Sequence, residues 1–323
     1  MTTALFYVLA VMVLVLSLNS VVDSFNMRSK NLHVSSAVDL RMSFFNFDFG
    51  GSSSNSKQKP VCVITGTTSG LGLECSRALL KSGKYQLVLA NRDVDKMKSV
   101  AAEEGFDDLP GQYTVMPLDL GSFQSTKNFV KLLKAKFPKP LERLVCNAAV
   151  YQPANLEDQD EKGVGRPKFT SDNIEQQLQI NHLSHFLLCN LLLGDMTKAA
   201  KGPVGARMIV VGSITGNDNT VGGGLVYPVA DLGDLKGMAL GSKNPVSMID
   251  GESFNGAKAY KDSKVCNMMT INELHKRYHK STGITFSTMY PGCIAETQLF
   301  RQKRVWFQKL FPVIRSSHQS ECS

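Results

Sequence analysis

Val61-Cys62-Val63-Ile64-Thr65-Gly66-Thr67-Thr68-Ser69-Gly70-Leu71-Gly72 decides the fold. Val61–Thr65 is a short apolar run entering a glycine turn, the pattern of a buried strand. Gly66 and Gly70 permit the tight turn, and Gly72 lets the next helix, expected over Leu71–Ser82, approach the strand closely. The backbone N–H groups of the turn and the start of that helix favour a pyrophosphate. A lone Gly-rich run says little; its position at the first strand–helix junction gives it weight. Thr65, Gly66, Ser69, Gly70, Leu71 and Gly72 are therefore candidate cofactor-binding residues.

Outward from that stretch, strand and helix patterns alternate. Strands are expected at Gln86–Ala90, Tyr113–Leu118, Arg143–Cys146, Arg207–Gly212 and Thr285–Met289. Helices are expected at Asp93–Glu104, Phe123–Phe137, Ile174–Leu193 and Lys258–His279. This alternation predicts an α/β fold, a Rossmann-like doubly wound parallel sheet in a single domain, with ligands at the carboxyl ends of the strands. Two irregular stretches, Tyr151–Asp172 and Gly216–Gly256, interrupt the pattern. Loops of that length are either functional or surface insertions.

The strand ends carry the chemistry. The second strand ends at Ala90-Asn91-Arg92, where an NAD-preferring site usually has an acid for the ribose hydroxyls. Arg92 stands there instead, with Lys96 one helical turn on, and cations at this point suit a 2′-phosphate, so NADPH is the expected cofactor. Lys96 is equally readable as part of a solvated helix face. Tyr260-Lys261-Asp262-Ser263-Lys264 puts a tyrosine and a lysine at i and i+4, on one helix face. Charged Lys264 lowers the tyrosine pKa and can hold the nicotinamide ribose, and Tyr260 then donates or accepts a proton.

These features resemble the short-chain dehydrogenase/reductase superfamily. The resemblance implies that Asp119, closing the third strand, contacts adenine, although Asp119 is equally placed to cap the helix starting near Ser122. Asn147-Ala148-Ala149 resembles the superfamily's Asn-Asn-Ala-Gly motif, with Cys146 and Ala149 as departures, and its small residues leave room for the adenosine ribose. Ser213 matches the polarising serine and Asn181 the asparagine that anchors a structural water and the lysine. Pro291-Gly292 resembles the nicotinamide-side turn, with Thr297 as a carboxamide contact. His182 and His185 read as helix packing or capping.

Three longer segments are more specific. Gly212–Asn217, Ala257–Met268 and Tyr290–Ala295, together with Asn181–Leu188, are similar to the light-dependent protochlorophyllide reductases over roughly Pro60–Phe311. That family implies chlorophyll biosynthesis in the chloroplast: an NADPH hydride goes to C17 of protochlorophyllide, a proton goes to C18, and the bound pigment must first absorb light. Tyr260 is then the proton donor, Lys264 assists, and Cys293 is a pigment-side residue and alternative donor. The family continues through further helices to a last strand, whereas about 30 residues follow Gly292 here, so a sheet without its last strand is expected. A dark carbonyl or retinoid reductase would share Tyr260 and Lys264 without needing Cys293, and the missing C-terminal part suggests a non-catalytic NADPH- or pigment-binding protein as another alternative.

The chain of 323 residues is 43% hydrophobic and 20% charged, which is globular composition. Its net charge of +8 divides into +2 over residues 1–59 and +6 over the rest. With no zinc-finger spacing, RNP-like run or basic helix, nucleic acid is not an expected partner, and no metal is expected. The seven cysteines, without a C-x-x-C pair, read as free thiols in a reducing compartment. Leu5–Leu18 is apolar but short for a membrane span and reads as a signal-peptide core within residues 1–24. Residues 25–59, rich in Ser, Asn and Phe, read as a plastid transit peptide and linker before a domain over 60–323. Phe25 after the apolar run resembles the presequences of algae with secondary plastids, and an uncleaved membrane anchor is the alternative. Leu299–Phe311 interleaves cations with large apolar residues, as a pigment-pocket lid or a plastid membrane contact would. The partners expected are protochlorophyllide as substrate, the surface of thylakoid or other inner membranes, and a second copy in a homo-oligomer.

Overall fold

The structure is a computed structural model, and it describes residues 59–152, 166–217, 219–239 and 245–290, all within the unit Gln58–Ser323. The expected presequence, Pro291, Gly292, Cys293, Thr297, the Leu299–Phe311 segment and the site of any last strand lie outside the described residues.

The chain runs β1 (Val61–Thr65), α1 (Gly70–Ser82), β2 (Gln86–Asn91), α2 (Val94–Glu103), β3 (Gln112–Pro117), α3 (Phe123–Lys136), β4 (Arg143–Cys146), α4 (Ser184–Ala200), β5 (Arg207–Val211), α5 (Gly256–Thr282) and β6 (Thr285–Met289). The six strands order as β3-β2-β1-β4-β5-β6, and every adjacent pair is parallel. The chain builds outward from β1 to β3, then crosses back to β4. The order reverses between β1 and β4, and a crevice opens there at the strands' carboxyl ends.

Parallel strands covered on both faces read as unbroken apolar runs, and every residue of β1 and β4 is buried. Leu144, Met208 and Val63 in the sheet pack with Phe129 and Leu133 of α3 and Leu188, Leu192 and Met196 of α4. This core fixes the height of the strand ends, and so of the crevice.

One expectation needs correction. The helix expected over Ile174–Leu193 starts later, with a π-helical turn at Leu178–Leu183, and ends at Ala200. Its expected first turn is committed elsewhere: Ile174 bridges to Val246, and the Glu175 N–H donates to the Val246 carbonyl at 2.8 Å. The stretch Gly216–Gly256, where described, is exposed at Leu225, Val226 and Tyr227 and packs inward near its end. Val246, Met248 and Ile249 are buried, and Lys236–Ala239 is a helical turn.

Candidate active site

A cleft of about 660 Å³ opens at the switch point. Its floor is the turn after β1. Gly66 (φ +69°) and Gly70 (φ +58°) both occupy the left-handed region. A Cβ on Gly72 would stand 2.2 Å from the Gly66 carbonyl oxygen, so only glycine lets α1 rise here. Ser69, Gly70 and Leu71 line the cleft. The Ser69 side chain caps no helix N–H, which leaves the first turn of α1 open to an anionic ligand.

Thr65 and Gly72 stand behind that floor. The Thr65 hydroxyl accepts the N–H groups of Asn147 at 2.9 Å and Ala148 at 3.0 Å. The Asn147 amide donates to the carbonyls of Thr65 and Gly66, both at 2.9 Å. The end of β4 is thereby sewn to the glycine turn. At the tip of β2, Asn91 is spent on the loop: its Oδ1 accepts the Thr67 N–H at 2.8 Å and its amide donates to Thr67 Oγ1 at 2.7 Å. Arg92 and Lys96 line the cleft beside it and have no ion pair among the described residues. Asp119 also lines the cleft, but it does not cap α3. Its Oδ1 accepts the Gly121 N–H at 2.8 Å, while Ser122 is the N-cap.

At the other end of the cleft stand Ser213, Thr215, Tyr260, Lys264 and Tyr290. Ser213 Oγ lies 2.9 Å from Thr215 Oγ1. Lys264 Nζ donates to the Val211 carbonyl at 3.0 Å and sits 5.6 Å from the centre of the Tyr260 ring. Burial pushes Lys264 down to about 8, against its charged form. Asn181 is fully buried and does not line the cleft. Its Oδ1 accepts the Val150 N–H at 2.8 Å, and its amide donates to the Val150 carbonyl at 3.0 Å and to Ser263 Oγ at 3.1 Å. Tyr151, given no role from sequence, meets the Tyr260 ring edge-to-face at 5.0 Å; its place just past the β4 end was the available signal.

The short chain dehydrogenase family model matches residues 60–230. Over 255 residues the chain is 50% identical to a protochlorophyllide reductase of Avena sativa, covering 78% of this chain and 77% of that one. The chain belongs to the protochlorophyllide reductases, a family of short-chain dehydrogenases. A chloroplastic member from Chlamydomonas reinhardtii is 49% identical over 257 residues, 79% of this chain. The chain spans 61% of that relative and 62% of one from Hordeum vulgare. Among solved structures, a short-chain dehydrogenase/reductase of Mycobacterium marinum matches with TM-score 0.54 at 15% identity, covering 79% of this chain and 80% of that one. A metagenomic short-chain oxidoreductase in complex with NADP matches with TM-score 0.50 at 20% identity, covering 74% and 85%. Both show the fold.

In this protochlorophyllide reductase family member the helix bearing Tyr260 is covered on all sides at its start. Ala259 through Lys264 are buried without a break, which an amphipathic surface helix would not show. The insertion before α5 is the cover. Lys258 Nζ pairs with Asp262 at 2.7 Å on its own helix and with Asp250 at 2.8 Å on the insertion, and it also donates to the Asp231 carbonyl. Asp262 accepts the Asp231 N–H at 2.9 Å, and Lys261 donates to the Val226 carbonyl. Burial pushes Asp262 up despite its bond to Lys258. Sequence patterning alone does not separate these charges from a solvated helix face.

Proposed function

We propose that the chain catalyses the light-driven reduction of protochlorophyllide to chlorophyllide in chlorophyll biosynthesis, with the hydride of NADPH going to C17 and a proton to C18. The observation that carries this reading is one continuous cleft, running from the uncapped start of α1 and Arg92 to Tyr260 and Lys264. The family membership supplies the substrate. The residues fit the cofactor: the glycine turn has room only for backbone, and Arg92 and Lys96 offer two cations at the tip of β2.

When bound, NADPH supplies the hydride. The N–H groups at Ser69–Leu71 hold the pyrophosphate, Arg92 and Lys96 the 2′-phosphate, and Asp119 with Asn147 and Ala148 the adenosine. Lys264 holds the nicotinamide ribose, and its cation favours the ionised form of Tyr260, which eases proton transfer from the phenol to C18. Ser213 orients the substrate beside Tyr260, and Asn181 acts one layer behind by fixing Val150 and Ser263. By resemblance, Pro291, Gly292 and Thr297 complete the nicotinamide side and Cys293 the pigment side.

The chain works in the plastid, where its chloroplastic relatives are placed by name, at thylakoid or other inner membranes. Residues 1–24 and 25–59 serve as signal and transit peptides, Leu299–Phe311 as lid or lipid contact, and copies associate as homo-oligomers. Isotope transfer tests the reaction. NADPH deuterated at its transferring position, illuminated with enzyme and pigment, should place deuterium on C17. Product without deuterium would contradict hydride transfer from NADPH.

A further inference from the structure

The proposed chemistry leaves a buried histidine unused between the cofactor turn and the catalytic helix. His185 stands in the first turn of α4 and is 2% exposed. Its Nε2 lies 2.9 Å from Thr65 Oγ1, and its Nδ1 lies 3.1 Å from the Asn181 carbonyl oxygen. A hydroxyl oxygen has two acceptor lone pairs and one proton. Both lone pairs of Thr65 Oγ1 are taken by the N–H groups of Asn147 and Ala148. Only its proton is left for His185, so Nε2 must accept. At the other end of the ring a carbonyl can only accept, so Nδ1 must donate. The two contacts independently require the same species, a neutral imidazole protonated on Nδ1. Burial holds the ring neutral by pushing it down to about 4, and the nearby Lys264 and His182 push the same way.

We propose that His185 is a positioning residue for the cofactor site: it draws the Thr65 proton to itself, aims the Thr65 lone pairs at Asn147 and Ala148, and so fixes the wall on which the adenosine side of NADPH rests. This rests on the cofactor reading above. His185 does not line the cleft and acts only through Thr65. Tolerance downstream is small. A Cβ at Gly66 would lie 2.7 Å from Ala148 Cα, so the glycine turn and the end of β4 are already in contact. The Asn147 amide bonds to the Thr65 and Gly66 carbonyls pass any slippage of β4 straight to the phosphate turn. An apolar residue at 185 would leave the Thr65 hydroxyl without its acceptor in a dry site.

Two measurements on the full chain test this. The first is the nitrogen-15 spectrum of His185 at neutral pH, assigned by its loss in His185→Gln. It should show an unprotonated Nε2 and a protonated Nδ1; the opposite tautomer or an imidazolium overturns the proposal whatever the variants do. The second is NADPH titration by fluorescence. His185→Leu should raise Kd about tenfold, roughly the loss of one buried hydrogen bond, and His185→Gln, whose carbonyl can accept from Thr65, should recover most of it. Thr65→Val, which takes the acceptor from the Asn147 and Ala148 N–H groups, should also raise Kd, and combined with His185→Leu it should cost less than the sum of the two single variants. Wild-type affinity in His185→Leu, or no rescue by Gln, overturns the positioning role. If His185→Leu does not fold, the Gln variant and the wild-type tautomer decide. Wild-type protein that does not bind NADPH would instead remove the cofactor reading itself.

Discussion

Arg92 is exposed at the tip of β2 and lines the cofactor cleft. Replacing it with alanine should weaken NADPH by about 1–3 kcal/mol and leave NADH nearly untouched, since only NADPH offers the 2′-phosphate. Parallel titrations of both nucleotides check this, and equal weakening would remove the 2′-phosphate role. Glu175 gives a residue-scale prediction about stability. Its Oε1 is buried without a partner among the described residues, and burial raises it from 4.5 to about 7. The folded state therefore holds this proton more tightly than the unfolded state. That contribution is fully present below pH 4.5, falls as pH rises, and levels off above 7. Relative to wild type, Glu175→Gln should gain about 3 kcal/mol between pH 4.5 and 8 in urea unfolding. A difference independent of pH would show that the acid is not held protonated. Arg92 was legible in sequence because it replaces an expected acid at a known strand tip. Glu175 was not, because its burial comes from a bridge to Val246, far along the chain.

At the scale of elements, regular strands and helices announce themselves by period, and all six strands of the described sheet were expected within a residue or so. The region before α4 was harder. A helix was expected from Ile174, but backbone pairing with Val246 captures Ile174 and Glu175, and a π-helical turn further on places Asn181 against Val150 and Ser263. The contacts between the insertion and α5 were equally hidden, because their anchors are charges. Lys258 stands between two carboxylates whose side chains are 8% and 1% exposed. Lys258→Met should destabilise the protein by about 3–5 kcal/mol, since it leaves both acids without their cation. Adding Asp250→Asn and Asp262→Asn should recover most of that loss. Denaturant midpoints test it: an unshifted midpoint in Lys258→Met would mean that the cluster does not hold the insertion.

For the whole molecule, the turn after β1, the tip of β2 and the start of α5 meet in one cleft because the sheet reverses between β1 and β4. The sequence indicated each station separately, since each is a short motif at a strand or helix end. What it did not carry is the layer behind them, Thr65 with His185 and Asn181 with Ser263, whose partners lie more than 80 residues apart. In the proposed reaction this cleft brings NADPH and a pigment together for a light-triggered transfer, with Tyr260 as the proton source. The most direct test is the absorbance of the purified chain with NADPH and protochlorophyllide, recorded in darkness and after single flashes. The protochlorophyllide band should persist in darkness and be replaced by the chlorophyllide band after a flash. This conversion should occur only with NADPH present, and it should be slowed in the proton step by Tyr260→Phe while NADPH still binds. Conversion in full darkness, or flash conversion without NADPH, would contradict the account.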